Sequence, residues 1–340
     1  MDYKKIVVAG GGVLGSQIAF QAAYCGFDVT IWLRSEGSVK RCQPKLDTLK
    51  TTYLDALKLM NSDEGKSVSN WCRGLVFDGI DFNYDELVKK VENAYSNIKL
   101  VIDLKEAVKD ADLVIESMAE DINQKKEFYL KLAPLLPSKT VIVSNSSTLL
   151  PSKMAKFTSR SDKFLSLHFA NSIWKNNIAE VMVQSKTNMK YFDEVIEFAK
   201  EINMIPLPVK KEKAGYLLNS MLVPLLFSGM DLYVNGISDP ESIDKAWTLG
   251  TGAPKGPFKI LDTVGLTTAY NIVKNYLKIP SFLAPYNFKG MAKMLKTYID
   301  QGKLGMSSGE GFYKYKNWQY IYKFIKTYIF CSCQVITPSR

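Results

Sequence analysis

Residues 5–8 are a short apolar run that gives way to Gly10-Gly11-Gly12-Val13-Leu14-Gly15 and then to an alanine-rich stretch, 16–24. An apolar run bounded by glycine reads as a buried strand, and the stretch behind it reads as a helix. A second apolar run, 29–33, follows Gly26, so residues 5–33 are predicted to form one βαβ unit. Further strands are predicted at 113–116, 140–144 and 164–168, separated by helical stretches. That alternation predicts a parallel, doubly wound sheet. Between the second strand and residue 98 the chain is polar and helical for longer than a crossover requires, which predicts a helical insertion over 37–97. Beyond Pro206-Leu207-Pro208 the pattern turns helical at 215–234, 240–249 and 266–276, placing a domain boundary near residue 208.

Composition narrows the class. The chain has 340 residues, of which 46% are hydrophobic, which excludes disorder and, at about 150 residues per domain, suggests two domains. Five cysteines lie scattered, without the paired spacing of a structural zinc site; reduced thiols are expected. The greasiest stretch, 216–230, is interrupted by Asn219, Ser220, Pro224 and Ser228 and falls short of the ~20 residues of a membrane span. The first apolar run is too short for a signal peptide, so a cytosolic location and no membrane partner are expected. With 44 basic against 34 acidic residues, the net charge is +10. Such a surplus suits nucleic acid, anionic lipid or a phosphorylated small molecule, and no nucleic-acid recognition motif accompanies it.

Gly10, Gly12 and Gly15 form G-x-G-x-x-G between a predicted strand and a predicted helix, the setting in which this pattern signals a dinucleotide's pyrophosphate. Gly10 permits the tight turn, Gly12 lets backbone approach the phosphates and Gly15 lets helix and strand pack closely. Backbone at Val13 and Leu14 opens the helix whose N-terminus faces the phosphate charge. NAD sites of this type carry an acid at the tip of the second strand. Here Leu33 is followed by Arg34 and Ser35, and a guanidinium there suits the 2′-phosphate of NADP. NADP is favoured, and Glu36 keeps NAD open.

The chain contains one histidine. His168 ends a predicted strand, where sites of this architecture gather, and Glu180 follows it among apolar residues. A carboxylate beside an imidazole fixes its tautomer, and such a pair can take or return a hydroxyl proton as hydride moves. A purely structural His-Glu bond is the competing reading of these two residues.

Several ordered motifs then coincide over residues 5–315. Ser144-Asn145-Ser146-Ser147, His168-Phe169-Ala170-Asn171, Gly215-Tyr216-Leu217-Leu218-Asn219, Pro254-Lys255-Gly256-Pro257-Phe258, Asp262-Thr263-Val264-Gly265-Leu266 and Gly309-Glu310-Gly311-Phe312-Tyr313 together resemble the motifs of the 3-hydroxyacyl-CoA dehydrogenases. The resemblance implies a Rossmann-type dinucleotide domain over 1–208, an all-helical substrate and dimerisation domain over 209–317, and a tail over 318–340 without assigned role. It implies His168 as the acid-base residue, Glu180 as its orienting partner, and Ser147 and Asn219 as groups at the substrate oxygen. Glu116 and Asn145 are placed at the nicotinamide half of the cofactor, with no metal. The insertion is implied to touch CoA, whose phosphates suit the positive charge, and the C-terminal helices to form a homodimer.

Three departures stand out. Ser172 occupies the place of a proline, predicting a less constrained strand exit; Ser220 replaces an arginine; and Met306-Ser307 replaces a basic residue and its neighbour. The activity implied is interconversion of a short (S)-3-hydroxyacyl-CoA and its 3-oxo form with NAD(P). A CoA-independent hydroxy-acid or diketone reductase and a non-catalytic NADPH-binding protein are the alternatives.

Overall fold

A computed structural model describes residues 3–67, 70–79 and 82–315; the tail expected at 318–340, with Cys331 and Cys333, lies outside them. The chain divides into two compact units, Met1–Leu217 and Leu218–Arg340.

The first unit is built on eight strands: β1 (Lys5–Ala9), β2 (Asp28–Trp32), β3 (Lys99–Val101), β4 (Leu113–Glu116), β5 (Val141–Ser144), β6 (Phe164–Phe169), β7 (Ile178–Met182) and β8 (Ile205–Val209). They form one sheet in the order β3-β2-β1-β4-β5-β6-β7-β8. Every ladder is parallel except β6 with β7, which is antiparallel. The helices are α1 (Val13–Tyr24), α2 (Glu36–Met60), α3 (Tyr84–Asn97), α4 (Leu104–Val108), α5 (Ile122–Leu132), α6 (Pro151–Ala155) and α7 (Met189–Glu201). β4, β5 and β6 are buried at every position, as strands covered on both faces must be, which is why they read as continuous apolar runs. Val7, Val114, Ile142 and Phe164 from the sheet pack with Phe128, Tyr129 and Leu132 of α5.

The expected boundary at 208 falls within β8, Ile205–Val209. Its prolines, Pro206 and Pro208, alternate with residues that face β7: Ile205 N–H donates to Asn177 O at 2.7 Å, so the two positions lacking an N–H point to the open edge, where a sheet tolerates proline. The proline pair is therefore an edge strand and not a linker. The chain stays with the sheet through residue 217, and the hydroxyl of Tyr216 donates to Ser146 O at 2.7 Å.

The second unit contains α8 (Leu218–Val234), α9 (Pro240–Thr251), α10 (Pro257–Val264), α11 (Leu266–Lys274) and α12 (Phe288–Asp300), around Phe227, Met230, Phe258, Leu261, Met291 and Leu295. Among the described residues no helix is long and apolar enough to cross a membrane.

The glycines of the first turn differ in what constrains them. Gly10 has φ +118° and a side chain there would meet Ser117 O at 2.5 Å; a Cβ on Gly15 would collide with Gly10 O; a Cβ on Gly12 meets nothing within 4 Å. Gly15→Ala is accordingly expected to destabilise the chain by about 1–3 kcal/mol, whereas Gly12→Ala, which puts a poorer N-cap residue where a Cβ meets nothing, costs less than about 1 kcal/mol. Urea unfolding of the two variants measures the difference, and equal losses would remove the argument.

Candidate active site

The open space over Gly12 lies at the N-terminus of α1, which has no side-chain cap and no acid in its first turn. The N–H groups of Val13 and Leu14 have no partner within the helix, as in any first turn, so this end offers donors and positive dipole to an anion. The pyrophosphate of a dinucleotide fits that cradle. At the tip of β2, Leu33 is buried, and a Cβ on Gly11 would come within 2.7 Å of it. The exposed strand-tip residue is Arg34, which donates to Gln124 Oε1 at 3.3 Å. Ser35 caps α2 through Ser38 N, and Arg41 donates to Ser38 Oγ at 3.0 Å. Ser38 and Arg41, a turn into α2, extend the Arg34-Ser35 pair; their spacing on a helix start was the available signal.

Glu116, expected at the cofactor, is 0% exposed. Its Oε1 accepts from Met118 N at 2.7 Å and Lys125 Nζ at 2.5 Å, its Oε2 from Tyr129 OH at 3.0 Å and Ser144 Oγ at 2.7 Å. Four donors satisfy both oxygens and leave none for a ligand. The partly exposed carboxylate of this region is Glu120, one helical turn's worth of residues later. Its Oε1 accepts from Ser146 Oγ at 2.6 Å, Thr148 N at 2.8 Å and Thr148 Oγ1 at 2.7 Å, and its Oε2 lies 3.7 Å from Lys125 Nζ. Burial pushes this carboxyl up, but the Lys125 charge and the donors of Ser146 and Thr148 outweigh it and hold it below its usual value.

These carboxylates anchor the turn after β5. Ser144 bonds Glu116 and Ser146 bonds Glu120, while Asn145 accepts from Phe169 N at 3.1 Å and donates to Ser117 Oγ at 3.2 Å. Ser147 is thereby presented to the imidazole, with its Oγ 3.1 Å from His168 Nε2. On the other side His168 Nδ1 lies 3.0 Å from Glu180 Oε2. The two residues are direct cross-strand partners in the antiparallel ladder, and His168 is 7% and Glu180 1% exposed. The carboxylate places the imidazole proton on Nδ1 and leaves Nε2 to exchange a proton. Glu180 Oε1 accepts from Leu217 N at 2.8 Å.

Tyr216 completes the arrangement and was not singled out as a site residue. Its ring stacks on His168 with centroids 4.5 Å apart and planes at 16°. Its φ of +49° is unusual for a bulky residue and is held by that stack and by the bond to Ser146 O. Asn219 stands on α8 in the second unit.

Other motifs of the second unit are structural. Buried Asp262 accepts from Phe312 N at 2.9 Å, Tyr313 N at 3.0 Å and Tyr315 OH at 2.9 Å, and a Cβ on Gly311 would collide with its carboxylate. Burial raises the Asp262 carboxyl above its ordinary value despite these donors. Asp244 accepts from Phe258 N at 2.8 Å and Tyr313 OH at 2.9 Å. The closing Gly-x-Gly-Phe-Tyr segment is thus pinned by two aspartates.

Residues 5–213 match the 3-hydroxyacyl-CoA dehydrogenase NAD binding domain, and residues 215–315 match the 3-hydroxyacyl-CoA dehydrogenase C-terminal domain. The human mitochondrial hydroxyacyl-coenzyme A dehydrogenase is 31% identical over 313 residues, covering 92% of this chain and 91% of its own. The 3-hydroxybutyryl-CoA dehydrogenase of Clostridioides difficile is 30% identical over 312 residues, covering 92% and 99%. A solved diketoreductase, described as acting on dicarbonyl compounds by substrate-directed dual catalysis, is 45% identical with a TM-score of 0.78, covering 93% of this chain and 100% of its own. With both domain profiles matched in order across the two units, the chain belongs to the 3-hydroxyacyl-CoA dehydrogenase family of NAD(P)-binding oxidoreductases.

Proposed function

We propose that this chain interconverts a short 3-hydroxyacyl-CoA and its 3-oxoacyl form, with His168 exchanging the proton of the substrate oxygen. The observation that carries the reading is the line Ser147 Oγ, His168 Nε2, His168 Nδ1, Glu180 Oε2, with the histidine and the glutamate buried and contacts of 3.1 Å and 3.0 Å. A bound nicotinamide supplies the hydride for reduction and accepts it for oxidation. In reduction His168 delivers a proton from Nε2 to the developing alkoxide, while Ser147 donates a hydrogen bond to the same oxygen. Glu180 stabilises the imidazolium needed for that delivery, and its second oxygen, bonded to Leu217 N, keeps it from rotating away. In oxidation the proton runs the other way. The net charge of +10 supports a polyanionic substrate such as a CoA ester.

A second reading, CoA-independent reduction of a small dicarbonyl, is supported by the 45% identity to the diketoreductase. For the cofactor, Arg34, Ser35, Ser38 and Arg41 at the start of α2 support NADPH, since two guanidinium groups and two hydroxyls suit a 2′-phosphate. The exposed Met221, Leu232 and Leu249 of the second unit support a homodimer through its helices, and sedimentation showing a monomer would remove that extension.

The activity assay follows loss of reduced-nicotinamide absorbance with acetoacetyl-CoA, free acetoacetate and a small diketone ester. Turnover confined to the CoA ester is the expected result; turnover of the free compounds alone transfers the assignment to the second reading. His168→Gln should lower kcat about 100- to 10,000-fold with cofactor affinity retained, and an unchanged kcat would sink the proton-transfer role. Arg34→Asp is expected to reverse a preference for NADPH over NADH in kcat/KM. An enzyme that already prefers NADH before the substitution contradicts the phosphate assignment.

A further inference from the structure

Beyond Phe169 the β6–β7 ladder ends, Phe169 with Ala179 being its last pair, and backbone N–H groups of the following loop must find acceptors elsewhere. Ser172 has left-handed backbone, with φ +60°, and its N–H donates to Gln17 Oε1 at 2.9 Å; the Ile173 N–H reaches the same oxygen at 3.5 Å. Ile173 is fully buried and Gln17 is 4% exposed. Gln17 lies on α1, just past the glycine turn.

One turn further along α1, Gln21 extends the same connection. Its Nε2 donates to Gly74 O at 2.7 Å, and its Oε1 accepts from Tyr53 OH at 2.6 Å. Tyr53, on α2, packs its ring 5.7 Å from that of Trp174 in the loop after β6, and Gly74 N donates to Trp174 O at 2.9 Å. The loop behind His168 is therefore bound on one side to α1 and on the other to the helical insertion. Serine at 172 was expected to loosen this exit relative to a proline. The structure gives it a tie that proline would lack, because proline has no N–H and a φ near −65°, so neither the bond to Gln17 nor this backbone conformation could form with it.

We propose that Gln17 is a positioning residue for His168, fixing the strand exit to the helix whose N-terminus faces the dinucleotide phosphates, so that imidazole and cofactor share one frame. The inference rests on His168 as the acid-base residue. Gln17 contributes its carbonyl oxygen and Ser172 only its N–H.

The test uses the full chain without a histidine tag, so that His168 is the single imidazole and its ring resonances in a long-range nitrogen-proton correlation spectrum are unambiguous. Gln17→Leu and Ser172→Pro each remove the bond, Ser172→Gly retains it, and the double variant Gln17→Leu with Ser172→Pro closes the cycle. The expected result is a kcat about 10- to 100-fold lower in each bond-removing variant. Cofactor Kd should stay within about threefold, the imidazole resonances should be displaced, and the double variant should be no worse than the poorer single one. Ser172→Gly should keep kcat within about threefold of the parent and leave the imidazole resonances in place. Unchanged resonances and kcat in Gln17→Leu, additive losses in the double variant, or a parallel collapse of cofactor affinity would each overturn the proposal. Should Gln17→Leu not fold, the contrast of Ser172→Pro with Ser172→Gly decides it. Activity persisting in His168→Gln would instead count against the acid-base reading, and the resonances would still report whether Gln17 positions the ring.

Discussion

The one reversal of strand direction in the described sheet, between β6 and β7, is the constraint on which the site depends. Antiparallel pairing sets His168 directly across from Glu180, and side chains opposite each other on one face of such a ladder lie close enough to bond. Burial then gives the pair its consequence. An imidazole and a carboxylate withdrawn from water interact more strongly than at a surface, but only if their remaining polar atoms are satisfied. Ser147 serves the outer imidazole nitrogen and Leu217 N the outer carboxylate oxygen, while the Tyr216 ring covers a face of the imidazole.

A second buried layer supports the first. Lys125, 1% exposed, lies between the fully buried Glu116 and the partly exposed Glu120, and the two carboxylates bind the hydroxyls of Ser144 and Ser146. Each charge is costly alone in such a place and tolerable only in company; removing one member of a buried ion pair typically costs about 3–5 kcal/mol. The layer explains why the Ser144-Asn145-Ser146-Ser147 turn is so polar although most of it is buried. Three of its side chains hold the turn and its neighbours in place, and the fourth faces His168.

The motifs of the second unit illustrate how position and role separate. Pro254-Lys255-Gly256-Pro257-Phe258, Asp262-Thr263-Val264-Gly265-Leu266 and the closing Gly309-Glu310-Gly311-Phe312-Tyr313 are as distinctive in sequence as the histidine motif. In the fold they are joined through Asp244 and Asp262 to one another, with glycines admitted where a side chain would strike a carboxylate. Distinctive spacing marked a constraint in both units, but spacing does not say whether the constraint is chemical or architectural.

Local pattern by itself determined the βαβ opening, the central strands, the helical second half and the candidate pair His168 and Glu180, because continuous apolar runs, glycine turns and a solitary histidine are visible without distant partners. It missed what depends on long-range contact. β8 hid behind two prolines that only a free sheet edge accommodates; Lys125, Tyr129 and Ser144 enclose Glu116 and leave Glu120, which no sequence motif singled out, partly exposed; Tyr216 and Gln17 become neighbours of the His168 strand and its exit only once the chain has folded. Tertiary structure decided these points because burial, the partner across a ladder and the acceptor for an orphaned N–H are properties of residues far apart in sequence, and no local window contains both members.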